Sequence, residues 1–307
     1  MSRKSFLIGL VLAALLMTIV PLSLMAGPDE PQIVGGEEAV PGAWPWQVAF
    51  VHSDAINLYD GQYCAGVLLD EMWVLTAAHC VENRAINDFD MALGVHNLID
   101  PEPNAQRISP RNIIIHPEFD PYLYDSDIAL VQLQTPVVIT AGEGGGLPVQ
   151  PAVLVATDAG SLEGVLSTIT GWGNRAGQPE PGGYDYPETL HQVDLPIISN
   201  EACEEAFYNN YLYAELTENM MCAGFIYKGG RDSCYGDSGG PLVVQEPETE
   251  EWRLAGLVSW GFGCAIPGVP GVYTRVSQFS TWVSEIVGRP DVTLEKSADA
   301  LAVTPGG

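Results

Sequence analysis

Short apolar runs separated by turn residues set the rhythm of this chain. Ala43–Val51 mixes aromatic and β-branched residues, and Cys64–Leu69 and Trp73–Thr76 read as buried strands. Ile113–Ile115 and Ile128–Leu133 read the same way. A connector follows at 140–150, with Gly142-Glu143-Gly144-Gly145-Gly146 at its centre. A second set of strands then appears at Leu166–Trp172, Gln192–Ile198, Pro241–Val244, Leu254–Trp260 and Gly271–Val276. One late segment has a helical period instead. In Ser277–Val287, residues Phe279, Trp282, Val283, Ile286 and Val287 share one side. From about Gly288 the apolar pattern fades, so a loose tail is expected. Strands spaced by turns predict an all-β sandwich or barrel, and no internal repeat is visible.

Composition reinforces that prediction, with 33 glycines and 23 prolines in 307 residues. The 39 acidic residues against 12 basic ones, a formal net charge of −27, argue against a nucleic-acid partner. Such a surface steers cationic substrates or simply keeps the protein in solution.

At the amino terminus, Arg3 and Lys4 precede an apolar run from Phe6 to about Ala26. That is the order of a secretory signal peptide at 1–26. Leu24 is not the small residue preferred near a cut at Ala26–Gly27, so a retained membrane anchor is the alternative. Beyond residue 26 no apolar run is long enough to span a bilayer. Residues 27–32 form a short polar link. Six cysteines in an exported chain can form three disulfides, although their number alone does not choose the pairing.

The chemistry concentrates in residues 232–241, Asp-Ser-Cys-Tyr-Gly-Asp-Ser-Gly-Gly-Pro. Ser238 lies between Gly236 and the pair Gly239-Gly240, where missing β-carbons permit tight backbone approaches. Such a loop can present a nucleophilic hydroxyl together with backbone N–H donors, the two needs of acyl transfer. Of the five histidines (His52, His79, His96, His116 and His191), His79 stands out at the end of Leu-Thr-Ala-Ala-His-Cys. Asp120, Asp125 and Asp127 could each orient it, and Asp127 opens the apolar strand Asp-Ile-Ala-Leu.

These segments resemble those of the trypsin/chymotrypsin-like serine proteases. The order His, Asp, Ser is that family's, and not that of subtilisin or the α/β-hydrolases. The resemblance covers about 33–288 and implies two antiparallel six-stranded β-barrels, at about 33–145 and 150–276. The active site would lie in the cleft between them, with a C-terminal helix at about 277–287 and a flexible tail at 289–307. It implies a triad of His79 as general base, Asp127 as its orienting acid and Ser238 as nucleophile. The N–H groups of Gly236 and Ser238 would form the oxyanion hole.

Further roles follow from the same resemblance. Asp232, six residues before Ser238, falls at the floor of the primary specificity pocket, implying cleavage after Arg or Lys. Ser259, Trp260 and Gly261 resemble the strand that pairs with the substrate backbone, and Gly261 and Gly271 the pocket wall. Tyr124 and Trp260 would shape neighbouring subsites. The implied disulfides are Cys64–Cys80, Cys203–Cys222 and Cys234–Cys264. Activation of the zymogen would cut the propeptide (27–32) before Ile33, whose new amino group would pair with Asp237. Gln32 stands where family zymogens commonly carry Arg or Lys, so a protease other than trypsin, or N-terminal trimming, is expected to mature the chain.

No cofactor and no metal are expected. Val95 and Ala105 occupy positions where calcium-binding relatives carry glutamates, and the spacings around His79 match no zinc pattern. The acidic run Glu246–Glu251 reads as a solvated hairpin loop. The expected protein is a secreted, monomeric endopeptidase that is free of membrane after signal removal. Its partners would be proteins or peptides carrying Arg or Lys at the cut, and protein protease inhibitors. The alternatives are a non-catalytic binding module on the same fold and a protease of different primary specificity. The complete triad weighs against the first, and Asp232 against the second.

Overall fold

A computed structural model describes residues 33–177, 183–288, 292–297 and 300–305. The expected signal peptide (1–26) and propeptide (27–32), with Gln32, lie outside the described residues.

The strands are β1 (Glu37–Glu38), β2 (Gln47–His52), β3 (Gln62–Leu68), β4 (Trp73–Thr76), β5 (Phe89–Leu93), β6 (Gln106–Ile108), β7 (Pro110–Ile115) and β8 (Ala129–Leu133). They continue with β9 (Thr140–Ala141), β10 (Pro148–Val149), β11 (Leu166–Gly171), β12 (His191–Ile198), β13 (Met220–Ala223), β14 (Pro241–Gln245), β15 (Trp252–Trp260) and β16 (Gly271–Arg275). The first half forms a curled antiparallel sheet in the order β6-β5-β2-β3-β4-β8-β7. The second runs β1-β12-β11-β14-β15-β16-β13, and a further β12–β13 ladder closes six of these strands into a barrel. The expected all-β fold is therefore present, with one closed barrel and one curled half in which, among the described residues, no ladder joins the end strands. The amino-terminal strand β1 pairs with β12, so it joins the second sheet rather than the first.

The strands are apolar on both faces because both faces are covered. In β2, Val48 and Phe50 point into the core of the first half, while Ala49 and Val51 face a second cluster shared with the other half. In β15, Ala255 and Val258 fill the second barrel, while Leu254 and Leu257 join the shared cluster. Apolar residues thus occupy both faces, with period-2 alternation in β2 and a bulge opposite Leu242–Val243 that shifts the phase in β15. Each buried Phe or Leu contributes about 1.5–3 kcal/mol.

The expected late helix begins as a 3₁₀ turn at Val276–Phe279 and continues as α3 (Ser280–Val287). Val276, Phe279, Val283 and Ile286 are buried in the shared cluster, and His116 meets the rings of Phe279 and Trp282 edge-on, each at 5.0 Å. Two further helices were not read from the sequence. The single turn α1 (Leu58–Gly61) is capped by Asn57, whose side chain accepts from Asp60 N–H. Helix α2 (Asn200–Asn209) is capped by Ser199, whose hydroxyl accepts from Ala202 N–H. Its apolar face is short, which hides its period.

The segment expected as a loose tail contains an antiparallel pair, β17 (Val292–Ser297) and β18 (Ala300–Pro305). The alternation Val292-Thr293-Leu294-Glu295 is the signal for it. All three disulfides pair as implied, Cys64–Cys80, Cys203–Cys222 and Cys234–Cys264.

Candidate active site

Backbone hydrogen bonds from both halves hold the Ser238 loop. Ala65 N–H donates to Ser238 O (2.7 Å), and Gly239 N–H donates to Val258 O (2.8 Å). Within the loop, Gly240 N–H donates to Asp237 O and Asp237 N–H to Cys234 O. Gly239 has φ of 77°, and a β-carbon there would overlap Thr76 Oγ1 and Ala65 O. Thr76 Oγ1 itself donates to Ala65 O (2.7 Å). Glycine is thus required where the loop presses on β3 and β4. Gly236 has φ of 101°. The N–H groups of Gly236 and Ser238 have no acceptor among the described residues.

His79 sits in the 3₁₀ turn Ala78–Cys80 after β4, fastened by the Cys64–Cys80 bridge. Its Nδ1 is 2.8 Å from Asp127 Oδ2, and its backbone N–H donates to Asp127 Oδ1 (2.9 Å). Asp127 is fully buried. Ser259 Oγ donates to Asp127 Oδ2 (2.5 Å), and Thr274 Oγ1 donates to the Asp127 carbonyl (2.7 Å). A buried carboxylate needs such partners, since an uncompensated charge costs several kcal/mol. The preceding loop is strained, with Tyr124 at φ 55° and Ser126 at φ 52°. The Tyr124 ring meets His79 edge-on at 5.5 Å.

The other candidate aspartates do different work. Asp120 accepts from the N–H groups of Tyr122 and Leu123. Asp125 accepts from Thr217 Oγ1 (2.5 Å) and Asn219 Nδ2 in the other half. The remaining histidines stand apart from this pair. His52 stacks on Tyr63, His96 pairs with Glu38, His116 lies under α3 and His191 meets Thr189 O. The cysteines nearest His79, Cys64 and Cys80, are bonded to each other, so neither offers a metal a thiolate.

A cleft of about 540 Å³ is lined by His79, Ser238, Asp232, Trp260, Gly261 and Gly271, among others. Asp232 is buried in it. Its Oδ2 accepts from Ala265 N–H (2.9 Å), whereas its Oδ1 has no partner among the described residues. A β-carbon on Gly271 would stand 2.9 Å from that free oxygen. Burial is the main cause that pushes the carboxyl up to about 8. The Cys234–Cys264 bridge joins the serine loop to the segment carrying Ala265.

Asp237 is also fully buried, and burial pushes it up to about 6. Its Oδ1 accepts from Gly173 N–H (2.7 Å) and its Oδ2 from Cys234 N–H (2.9 Å). β-Carbons on Gly171 or Gly173 would overlap this carboxyl group. Among the described residues it has no cationic partner. The side chain of Ile33 is buried in the core of the second barrel.

Sequence reasoning did not find two polar residues that meet Asp127. The sequence reading gives Ser259 a role in strand pairing and gives Thr274 none. The one local signal was a hydroxyl residue inside an otherwise apolar strand.

A serine on a glycine-shaped loop and a histidine held by a buried aspartate line one cleft between two β halves. That combination defines a class, the serine peptidases of the two-barrel kind. The comparisons agree. The family model described as Trypsin matches residues 33–283. Anionic trypsin of Canis lupus familiaris is 36% identical over 260 residues, covering 84% of this chain and 91% of that protein. Trypsin II-P29 of Gallus gallus is 36% identical over 263 residues, covering 85% and 91%. Serine proteinase stubble of Drosophila melanogaster is 35% identical over 261 residues, covering 84% of this chain. The chain spans only 31% of that last protein's length. The chain belongs to the trypsin family and carries a serine peptidase domain.

Proposed function

We propose that the protein is a secreted serine endopeptidase that cuts after Arg or Lys through a triad of Ser238, His79 and Asp127. The observation that carries the specificity is Asp232, a buried carboxyl at the cleft whose Oδ1 has no partner among the described residues. A guanidinium or ammonium group complements that oxygen in charge and hydrogen bonding. Gly261 and Gly271 leave room for a long side chain, and Ser259–Gly261 offers strand pairing to the substrate backbone. Tyr124 and Trp260 border the adjoining subsites.

In this reading Ser238 Oγ attacks the scissile carbonyl carbon while His79 takes its proton. Asp127 holds the His79 ring and stabilises its cationic form. The N–H groups of Gly236 and Ser238 receive the oxyanion; losing one such donor costs about 3 kcal/mol. As the C–N bond breaks, His79 returns the proton to the leaving amine. Water then hydrolyses the acyl-enzyme with His79 again as base.

Maturation belongs to the same proposal. Residues 1–26 are removed as a signal peptide, 27–32 as a propeptide, and 33–288 form the protease domain. A cut before Ile33 creates an ammonium group, and Asp237 has no cationic partner among the described residues. Its natural partners are protein substrates and protein protease inhibitors, and the three disulfides suit an oxidising, extracellular site. A peptide-library cleavage profile on protein of sequenced amino terminus tests all of this. Cleavage after Arg and Lys by protein beginning at Ile33 is the expected result. A start elsewhere removes the Asp237 pairing, and cleavage after apolar residues removes the role of Asp232.

A further inference from the structure

The N–H of Gly236 belongs to the peptide plane shared with Tyr235. Asn174 N–H donates to the Tyr235 carbonyl at 2.8 Å. A trans peptide is planar, with its C=O and N–H pointing opposite ways. Holding that carbonyl on the Asn174 side therefore turns the Gly236 N–H away from it. Asn174 is fully buried, and its side chain bonds Gly177 O and the N–H groups of Ala176 and Asp185. The second half thus pins one of the two peptide planes beside Gly236.

The other plane is pinned from the first half. Gln62, at the start of β3, donates through Nε2 to the Gly236 carbonyl (2.8 Å) and to Cys64 O (3.1 Å). Three residues earlier, on α1, Tyr59 donates its hydroxyl to the carbonyl of Tyr186 (3.0 Å). The Tyr186 ring lies 3.4 Å from where a β-carbon of Gly236 would be, and the Gly173 Cα lies 3.2 Å from the same point. Tyr59 and Gln62 therefore reach across from one half to the same point of the other. With φ at 101°, Gly236 has a backbone conformation that needs outside support to stay unique.

We infer that the α1–β3 corner is a cross-cleft clamp, in which Gln62 positions the Gly236 backbone and Tyr59 seats Tyr186 beside it. Both are positioning residues, because neither touches the reacting atoms. The clamp rests on the reading of Gly236 N–H as an oxyanion donor. It couples the quality of the oxyanion hole to the docking of the two halves, independently of the pocket around Asp232.

The test uses the active enzyme and compares Gln62→Met, which keeps length and removes the donor, with wild type. A donor held loosely acts more weakly than one held in place, so kcat falls about tenfold and KM stays within about twofold. Affinity for a peptidyl boronate, which forms a tetrahedral adduct on Ser238, falls by the same factor. Affinity for a small arylamidine in the Asp232 pocket does not change. Gln62→Glu, equal in shape but without donors when ionised, shows the same split and serves if the Met variant does not fold. Tyr59→Phe shows it more weakly. Wild-type enzyme that fails to bind the boronate overturns the oxyanion reading itself. Wild type that binds it no better than Gln62→Met and Gln62→Glu overturns the clamp alone. So does equal loss of boronate and amidine binding, because general loosening of the fold produces that.

Discussion

Asp232 and Asp237 belong to one loop, both are buried, and burial raises both. Yet their surroundings differ. Asp237 has both oxygens occupied by backbone N–H groups, from Gly173 and Cys234. Asp232 has one oxygen satisfied by Ala265 and one left free beside Gly271. The free oxygen adjoins a cleft, and the occupied ones are enclosed by Gly171 and Gly173. Accordingly Asp232 is pushed further up, to about 8 against about 6 for Asp237. A buried carboxyl with fewer partners is the stronger trap for a cation arriving from outside. The better-bonded one suits a cation supplied once, by the chain itself.

The largest test of that contrast is Asp232→Ser. Breaking a buried ion pair costs about 3–5 kcal/mol, so kcat/KM for Arg and Lys substrates should fall roughly 10³-fold. Hydrolysis after apolar residues should remain or rise. An unchanged preference for basic residues in a cleavage profile would remove Asp232 from the pocket role.

Asp237→Asn should act with opposite sign before and after maturation. In the uncleaved chain the folded carboxyl is raised from 3.8 to about 6. A raised acid is harmless to stability below about pH 4, costs increasingly between about pH 4 and 6, and costs a constant amount above that. The Asn variant should then be more stable than wild type at pH 8, by up to about 3 kcal/mol, and equal to it at pH 4. After a cut before Ile33 the same variant should lose activity, because the new ammonium has no counter-charge. Thermal melts of both forms at both pH values decide the matter.

A smaller effect is expected from Gly173→Ala, which forces the Asp237 carboxyl from its place. Overpacking of this kind costs about 2 kcal/mol, seen as a lower denaturant midpoint. Asp237→Asn should not rescue it, because the overlap is steric. The smallest test concerns the free oxygen of Asp232. Its carboxyl must ionise to hold a cation, so arylamidine affinity should fall about tenfold per unit as pH drops below 8. A titration flat from pH 8 to 6 would show Asp232 already ionised in the empty cleft.

Local pattern and motif carried much of this protein. The paired apolar runs predicted the strands because both faces of each are covered. His79, Asp127 and Ser238 lie in segments whose residue types are legible without coordinates, and the implied disulfides formed. Other features were not legible. Helix α2 has a short apolar face, and its Ser199 cap is a single-residue signal. Strand β1 contains only two charged residues, and its place in the second sheet comes from pairing with β12, 155 residues from Glu37 at Gln192.

The site divides in the same way. The chemical groups are written in the chain: a serine among glycines, a histidine beside a bridging cysteine, aspartates at 127, 232 and 237. Those depend on residue identity and near neighbours. Which partners complete them depends on how the two sheets dock. Ser259 reaches Asp127 over 132 positions, and Gln62 reaches Gly236 over 174. Such contacts leave no periodic trace, because each is one directional hydrogen bond made after two sheets have docked. The chain specifies them indirectly, through the apolar surfaces that bring the sheets together.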